Sequence, residues 1–227
     1  MNAITYERFN PTVNPELLPQ LIRCYQDVFS TTPWSEWKTC KCCKKKWGIE
    51  QWRDIPTLRC PTCGKPLTDF WPSDVVERDI RKELSMPNAT CWLALDGGNV
   101  IGFSWGYALT GIELDAKLGI TCGLTEDRIA YQDEIGVAMP YRSKHIASEL
   151  FKLRLGDFIA AKLFTGVVRT KTNPPSVTNL WFNRLGYKVI VHYNDTDGRV
   201  IMVRNLRSLI AEESPNIPMK YPGECCR

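Results

Sequence analysis

The chain has 227 residues, 44% of them hydrophobic and 24% charged, with a formal net charge of +4. This is an ordinary globular composition, able to bury one good core with a small satellite, and its charge does not by itself point to nucleic acid. No apolar run approaches the ~20 residues that span a bilayer, and Met1 to Asn10 lacks the apolar stretch of a secretory leader, so a cytoplasmic location and no membrane partner are expected.

Ala3 to Phe9 alternates as a first strand. Pro15 to Phe29 reads as an amphipathic helix, with Leu18, Leu21, Ile22, Tyr25, Val28 and Phe29 at helical spacing, Asn14 as N-cap and Pro15 at the first helical position. Residues 34–71 change character and read as an inserted module. Ser73 to Leu84 returns to helix, with Ser73 as cap. Thr90 to Leu95 and Val100 to Leu109 flank Asp96-Gly97-Gly98-Asn99, a strong hairpin turn. A short helix near Glu113–Leu118 is followed by a strand at Tyr131 to Met139, a helix at about 144–163 and a strand at Thr165–Thr170. A helix near 175–185 ends at Gly186. Tyr187 to Tyr193 and Arg199 to Asn205 form a closing hairpin turned by 194–198, and 206–227 reads as a tail. The order is that of an α/β protein.

The inserted module holds eight Lys/Arg against four Asp/Glu, which accounts for the whole net charge, and five of the eight tryptophans. Cys40-x-x-Cys43 and Cys60-x-x-Cys63 stand sixteen residues apart. Tetrahedral thiolate zinc needs two close pairs brought together by a hairpin, so these four cysteines are the expected ligands of a structural Zn²⁺ in a zinc ribbon. Cys42 is a spare thiol that could replace Cys40 or Cys43. The lysines offset thiolate charge, and the tryptophans attach a module too small for its own core. Nucleic acid is not an expected partner.

Between the strand at 131–139 and the helix that follows lies Arg142-Ser143-Lys144-His145-Ile146-Ala147. A strand, a basic loop and a helix N-terminus make an anion cradle, because the first helical N–H groups have no intrahelical partner. The stretch resembles the acyl-CoA signature R/Q-x-x-G-x-G/A of the GNAT N-acetyltransferases, with His145 in place of the usual glycine. Asp96-Gly97-Gly98-Asn99-Val100-Ile101-Gly102 resembles the family's "D-G-x-x-V-G" hairpin, and Leu185-Gly186-Tyr187 its "L-G-F/Y" ending.

The resemblance implies a mixed, mostly antiparallel α/β sheet flanked by helices over 1–33 and 72–205, with the zinc ribbon inserted at 34–71. It implies acetyl-CoA as cosubstrate, with the backbone of Val137, Ala138 and Met139 along the pantetheine arm. The backbone from Arg142 through Ser143, Lys144, His145 and Ile146 to Ala147 would then surround the pyrophosphate. Asn173 and Asn179 are candidate coenzyme contacts or, equally, cap and turn residues.

Acyl transfer to an amine needs a base, a polarised carbonyl and two reactants held together. Glu134 sits where many family members carry their base, and burial would raise its pKa into a useful range. Strand alternation sends Asp133 to the opposite face. The family often has a tyrosine, four residues before the Gly-Phe/Tyr ending, to protonate the thiolate; here that position is Phe182, which has no proton to give. Loops 28–35 and 110–128, which would shape the acceptor pocket, carry Trp34, Glu113, Asp115, Glu126 and Asp127; an acidic rim would suit a cationic amine, while exposed loop acids are more often simply solvated. The reading is an N-acetyltransferase acting by direct transfer to a small-molecule or protein amine. The alternatives are an acyl-CoA-binding regulator with little catalysis, or a zinc-ribbon recognition module for nucleic acid or protein.

Overall fold

A computed structural model of the chain describes residues 3–173, 175, 177–194 and 198–208. The expected turn residues 195–197 and the tail beyond 208, with Cys225 and Cys226, lie outside the described residues. In chain order the strands are β1 (Ile4–Arg8), β2 (Lys38–Thr39), β3 (Lys46–Trp47), β4 (Thr68–Asp69), β5 (Thr90–Asp96), β6 (Asn99–Leu109), β7 (Ile129–Val137), β8 (Thr165–Lys171), β9 (Lys188–His192) and β10 (Arg199–Asn205). The helices are α1 (Leu18–Ser30), α2 (Ser73–Leu84), α3 (Gly111–Leu118), α4 (Ile146–Ala160) and α5 (Val177–Arg184). No helix among the described residues is long and apolar enough to cross a membrane.

Seven strands form one sheet in the order β1-β5-β6-β7-β8-β10-β9. Every pairing is antiparallel except β7 with β8. The parallel pair follows from the crossover through α4, which a parallel connection requires. The three short strands between α1 and α2 form a separate sheet, in the order β3-β2-β4.

Each face of the large sheet is covered because each helix has an apolar stripe to bury. Leu18, Leu21, Ile22, Tyr25, Val28 and Phe29 of α1 pack with Val76 and Ile80 of α2 against Phe103 and Trp105 of β6. On the opposite face Phe151, Leu155 and Phe158 of α4 pack with Val168, Phe182, Tyr187 and Met202. Each fully buried side chain of this kind contributes about 1.5–3 kcal/mol, which anchors α4 and therefore the loop that leads into it.

Some termini differ from expectation. The Asn14 side chain does not cap the turn at 15–17. It accepts from the Asn10 N–H at 2.8 Å and donates to Glu7 Oε1 at 2.9 Å, bracing the loop after β1. Ser73 is the first residue of α2 rather than its cap, and its Oγ accepts from Gln26 Nε2 at 3.1 Å. The fourth long strand, β7, begins and ends two residues early, because Met139–Tyr141 is already a turn of 3₁₀ helix.

Candidate functional site

The sheet opens at one place. β7 pairs with β8 only over Ile129–Thr165, Ala130–Gly166 and Tyr131–Val167. Beyond Tyr131 the two strands have no ladder between them. At the same point β7 carries one residue too many for its other neighbour. Trp105 pairs with Glu134 and Tyr107 with Tyr131, so Gln132 and Asp133 together oppose Gly106. Such a bulge bends and twists its strand. Glycine is needed opposite it, since a Cβ on residue 106 would stand 2.3 Å from the Tyr131 carbonyl oxygen.

A buried arginine fills the break. Arg154 of α4 is completely buried. Its Nη1 donates to the carbonyls of Trp105 and Glu134 at 2.9 and 2.8 Å, and its Nη2 donates to Gln132 Oε1 at 3.0 Å. Gln132 in turn donates to the Tyr187 hydroxyl. No carboxylate forms an ion pair with Arg154 among the described residues. The guanidinium therefore serves the strand backbone, replacing ladder bonds that the bulge removes.

The bulge also breaks the alternation of side chains. Asp133, expected on the opposite face from Glu134, lines the same cavity. The cavity measures about 140 Å³, with walls from Tyr25, Trp71 and Trp105. Its carboxylates are Asp79, Glu83, Asp133 and Glu134, against the cations Lys117 and Arg169. Lys117 Nζ lies 3.1 Å from both Glu83 and Asp133. Tyr107 donates its hydroxyl to Asp133 Oδ2 at 2.6 Å, and Trp105 Nε1 donates to Glu83 Oε2 at 3.0 Å.

Glu83 and Glu134 cannot ionise freely in so confined a space. Burial, and then the charges of Asp133 and Glu83, push Glu134 well above the usual carboxylate range against the pull of Arg169. Burial and Asp133 raise Glu83 to about 7 despite Lys117. Three of the four loop acids are engaged elsewhere, and Asp127 is exposed. Glu113 closes a capping box with Thr110, Asp115 accepts from the Cys122 N–H, and Glu126 accepts from Thr165 Oγ1. Glu83, Lys117 and Arg169 join Glu134 from distant parts of the sequence, with no local pattern to announce them. Arg154 did leave a signal: it interrupts an apolar stripe of Leu150, Phe151, Leu155 and Phe158.

Across the opening lies the loop from β7 into α4. Ser143 and His145 both take left-handed backbone conformations, with φ of 62° and 61°. That is the conformation glycine adopts without strain, so His145 keeps the backbone geometry of the glycine it stands for. Helix α4 starts at Ile146, and the first of its amides bonded within this turn is that of Glu149, to the His145 carbonyl at 3.1 Å. The N–H groups of Ile146, Ala147 and Ser148 stand at the positive end of the helix. Lys144 Nζ lies 5.1 Å from the Tyr141 ring.

The Arg142 side chain turns toward the end of α1. Its Nε donates to the Val137 carbonyl at 3.1 Å, Nη1 to the Thr32 carbonyl at 3.1 Å, and Nη2 to Thr31 Oγ1 at 2.9 Å. Along the strand end the Ala138 N–H is taken by the Ile101 carbonyl at 2.9 Å. Antiparallel alternation then points the N–H and C=O of Val137 away from β6, into the opening. Asn173 is exposed in the turn after β8, whereas Asn179 is buried on α5 and accepts from Asn183 Nδ2 at 3.4 Å. Phe182 is fully buried, edge-on to Phe151 and Tyr187.

In the turns beside the small sheet the Sγ atoms of Cys40, Cys43, Cys60 and Cys63 lie within 4.8 Å of one another. Cys40–Cys63 and Cys43–Cys60 are each 3.5 Å apart. Four sulfurs at ~2.3 Å from a tetrahedral ion would stand about 3.8 Å apart, so this donor set fits a soft tetrahedral metal. Cys42 is exposed and outside the cluster.

The two Cys-x-x-Cys turns are built alike. The N–H groups of Lys44 and Gly64 bond the carbonyls of Cys40 and Cys60, and both residues have left-handed backbones. Burial raises the Cys60 thiol, but the N–H groups of Cys63 and Thr62 together with the sulfurs of Cys43 and Cys63 outweigh it and bring the pKa down to about 6. The Lys65 N–H favours the Cys63 thiolate, yet burial and the sulfurs of Cys40 and Cys60 drive it up to about 12. A cation is what four mutually repelling thiolates require.

The sequence profile described as "Acetyltransferase (GNAT) family" matches residues 50–180, more than half of the chain. No curated protein matches. Among solved structures, the chain is similar to the PaiA N-acetyltransferase of Thermoplasma acidophilum in complex with coenzyme A, at 14% identity and TM-score 0.56, covering 89% of this chain and 99% of that one. It is similar to an acetyltransferase of Streptococcus agalactiae, at 14% identity and TM-score 0.53, covering 90% and 99%. A third is the spermidine/spermine N-acetyltransferase SpeG of Vibrio cholerae, at 11% identity and TM-score 0.53, covering 92% and 97%. At such identities the likeness is one of fold.

Proposed function

This chain belongs to the acetyltransferase (GNAT) family, and from that premise we propose that it moves an acetyl group from acetyl-CoA to an amine held in the cavity beside Glu134. The carrying observation is the position of that carboxylate. It lines the cavity where β7 parts from β8, beside Asp133 and Glu83, where an entering amine would meet it. In the proposed ternary complex Glu134 takes a proton from the amine, directly or through water. The amine nitrogen then bonds to the thioester carbonyl carbon, the C–S bond breaks, the coenzyme leaves as its thiolate, and the second proton of the former ammonium group passes to that thiolate or to water. The Val137 N–H polarises the carbonyl. The turn from Arg142 to Ala147, with the open amides of α4, holds the pyrophosphate, and Asn173 and Asn179 complete the coenzyme side.

Carboxyl groups outnumber cations four to two in the cavity, so an entering ammonium group would favour their ionisation and be held by it, and the faces of Tyr25, Trp71 and Trp105 suit its aliphatic part. We assign the Cys40, Cys43, Cys60 and Cys63 cluster to a structural Zn²⁺, which supplies fold stability and takes no part in the transfer. The test is acetyl transfer from acetyl-CoA to a panel of primary amines by wild type and Glu134→Gln. Turnover should fall ~10²-fold or more in the variant, in the range typical of a lost general base, with acetyl-CoA affinity unchanged. Equal turnover of the two proteins would remove Glu134 from the mechanism.

A further inference from the structure

Trp71 of the inserted module walls the cavity, and a second side chain of the module, Glu50, reaches the loop that supports the strand end at Val137. Glu50 lies in the 3₁₀ helix Ile49–Asp54, within residues 34–71. Trp52 of the same turn packs edge-on against Trp37, whose N–H bonds the Trp47 carbonyl of β3. Glu50 thus belongs to the body of the module, yet its carboxylate is spent outside it. Its Oε1 accepts from both the N–H and the hydroxyl of Thr32, at 2.7 and 3.0 Å. Thr32 and Thr31 are the residues that receive the Arg142 guanidinium, and the remaining nitrogen of Arg142 holds the Val137 carbonyl. Gly48 keeps the approach tight, since a Cβ there would stand 2.7 Å from Glu50 Oε2.

We infer that Glu50 is a positioning residue for acetyl transfer, acting through Thr32 and Arg142 to fix the strand end at Val137. The chain of contacts is continuous: Glu50 fixes the Thr32 peptide, Thr31 and Thr32 fix the guanidinium, and the guanidinium fixes the Val137 carbonyl. The next amide, Ala138 N–H, is bound to β6 on the other side. The Val137–Ala138 peptide is therefore clamped from both edges. This matters because β8 gives β7 no support here, and a polarising N–H is effective only if its position is fixed before the reaction. With Glu50 gone, Thr32 loses both of its bonds to the module and the clamp rests on Arg142 alone. The inference rests on the reading of this opening as the acyl-transfer site.

The predicted pattern separates positioning from plain stability. Glu50→Ala should lower kcat for acetyl transfer about tenfold while the acetyl-CoA Kd, measured by calorimetry, stays within about twofold. Glu50→Gln should restore most of the rate, because both Thr32 bonds go to one oxygen that an amide retains. Combined with Arg142→Ala, Glu50→Ala should cost nothing further, since both act through one clamp. Hydrogen exchange should quicken at the Ala138 amide in Glu50→Ala while the α4 amides stay protected.

Multiplicative losses in the double variant, or unchanged exchange at Ala138, would overturn the inference. Should the wild type transfer acetyl to no amine at all, the functional reading would fail. The exchange measurement would still decide whether Glu50 holds the strand.

Discussion

Replacing Arg154 with methionine tests whether the bulge in β7 is held by the guanidinium or only accommodates it. The substitution keeps volume and apolar packing while removing three donors, and it leaves the carbonyls of Trp105 and Glu134 and the Gln132 side-chain oxygen without partners. An unsatisfied buried acceptor costs about 1–3 kcal/mol, so the gross loss is about 6 kcal/mol. Against this, a dry guanidinium with no ion pair carries a desolvation penalty of several kcal/mol, which methionine relieves. The net is a destabilisation of about 2–3 kcal/mol, or roughly 4–12 °C in Tm for a chain of this size. The variant should also lose kcat beyond any loss of folded protein, because the Glu134 carbonyl is one of the groups released. The assays are urea unfolding and steady-state acetyl transfer at a temperature where both proteins are folded. If methionine leaves both stability and kcat unchanged, the three hydrogen bonds hold nothing, and the bulge is stable by its own packing.

The Glu83 carboxyl holds its proton up to about 7, against an ordinary value of 4.5, so its ionisation opposes folding as pH rises through that interval. The wild type should therefore be more stable at pH 5 than at pH 8, with a smaller difference in Glu83→Gln; equal slopes in thermal melts would contradict this. The same variant removes a like charge that raises Glu134, so the acid limb of its kcat profile should move to lower pH, and a shift upward would show the wrong coupling. At residue 145, glycine relieves about 1–2 kcal/mol of left-handed strain and returns about 0.5–1 in chain entropy, whereas valine adds strain with nothing returned. His145→Gly should melt within a few degrees of wild type and His145→Val well below it, and equal melting of the two would refute the strain argument. Metal analysis should find one zinc per chain, and chelation or Cys60→Ser should expose the module to proteolysis between 38 and 69; an intact module after verified metal loss would make the cluster dispensable.

Some of the site was legible because its chemistry is local. The two Cys-x-x-Cys pairs need only spacing to declare a cluster, and the turn from Arg142 to Ala147 needs only a strand before it and a helix after it. The order of strands and helices was readable from periodicity, with ends displaced by a residue or two where 3₁₀ turns intervene. What stayed hidden was set by tertiary contacts. Asp133 joins Glu134 because one extra residue in β7 cancels the alternation, and nothing in Tyr-Gln-Asp-Glu-Ile signals that extra residue. Glu83 and Lys117 meet Asp133 from two different helices, while Glu113, Asp115 and Glu126 of the loops are spent on a cap, a turn and a strand end.

These features are different aspects of one irregularity. A regular β7 would have paired with β8 along its length, kept Asp133 and Glu134 on opposite faces, and needed neither Gly106 nor a buried arginine. The bulge gives up ladder hydrogen bonds and obtains in exchange two adjacent carboxylates on one face, a strand end with an N–H turned into open space, and a gap between strands. It also leaves that strand end without a neighbour, at the point where acyl transfer demands the most rigid geometry. Arg154 answers from the α4 side and Arg142, with Glu50 behind it, from the module side. Both arginines spend themselves on backbone carbonyls rather than on carboxylates. The support of the opening is thus built from long-range contacts to main-chain atoms, which any sequence reading based on side-chain pattern passes over.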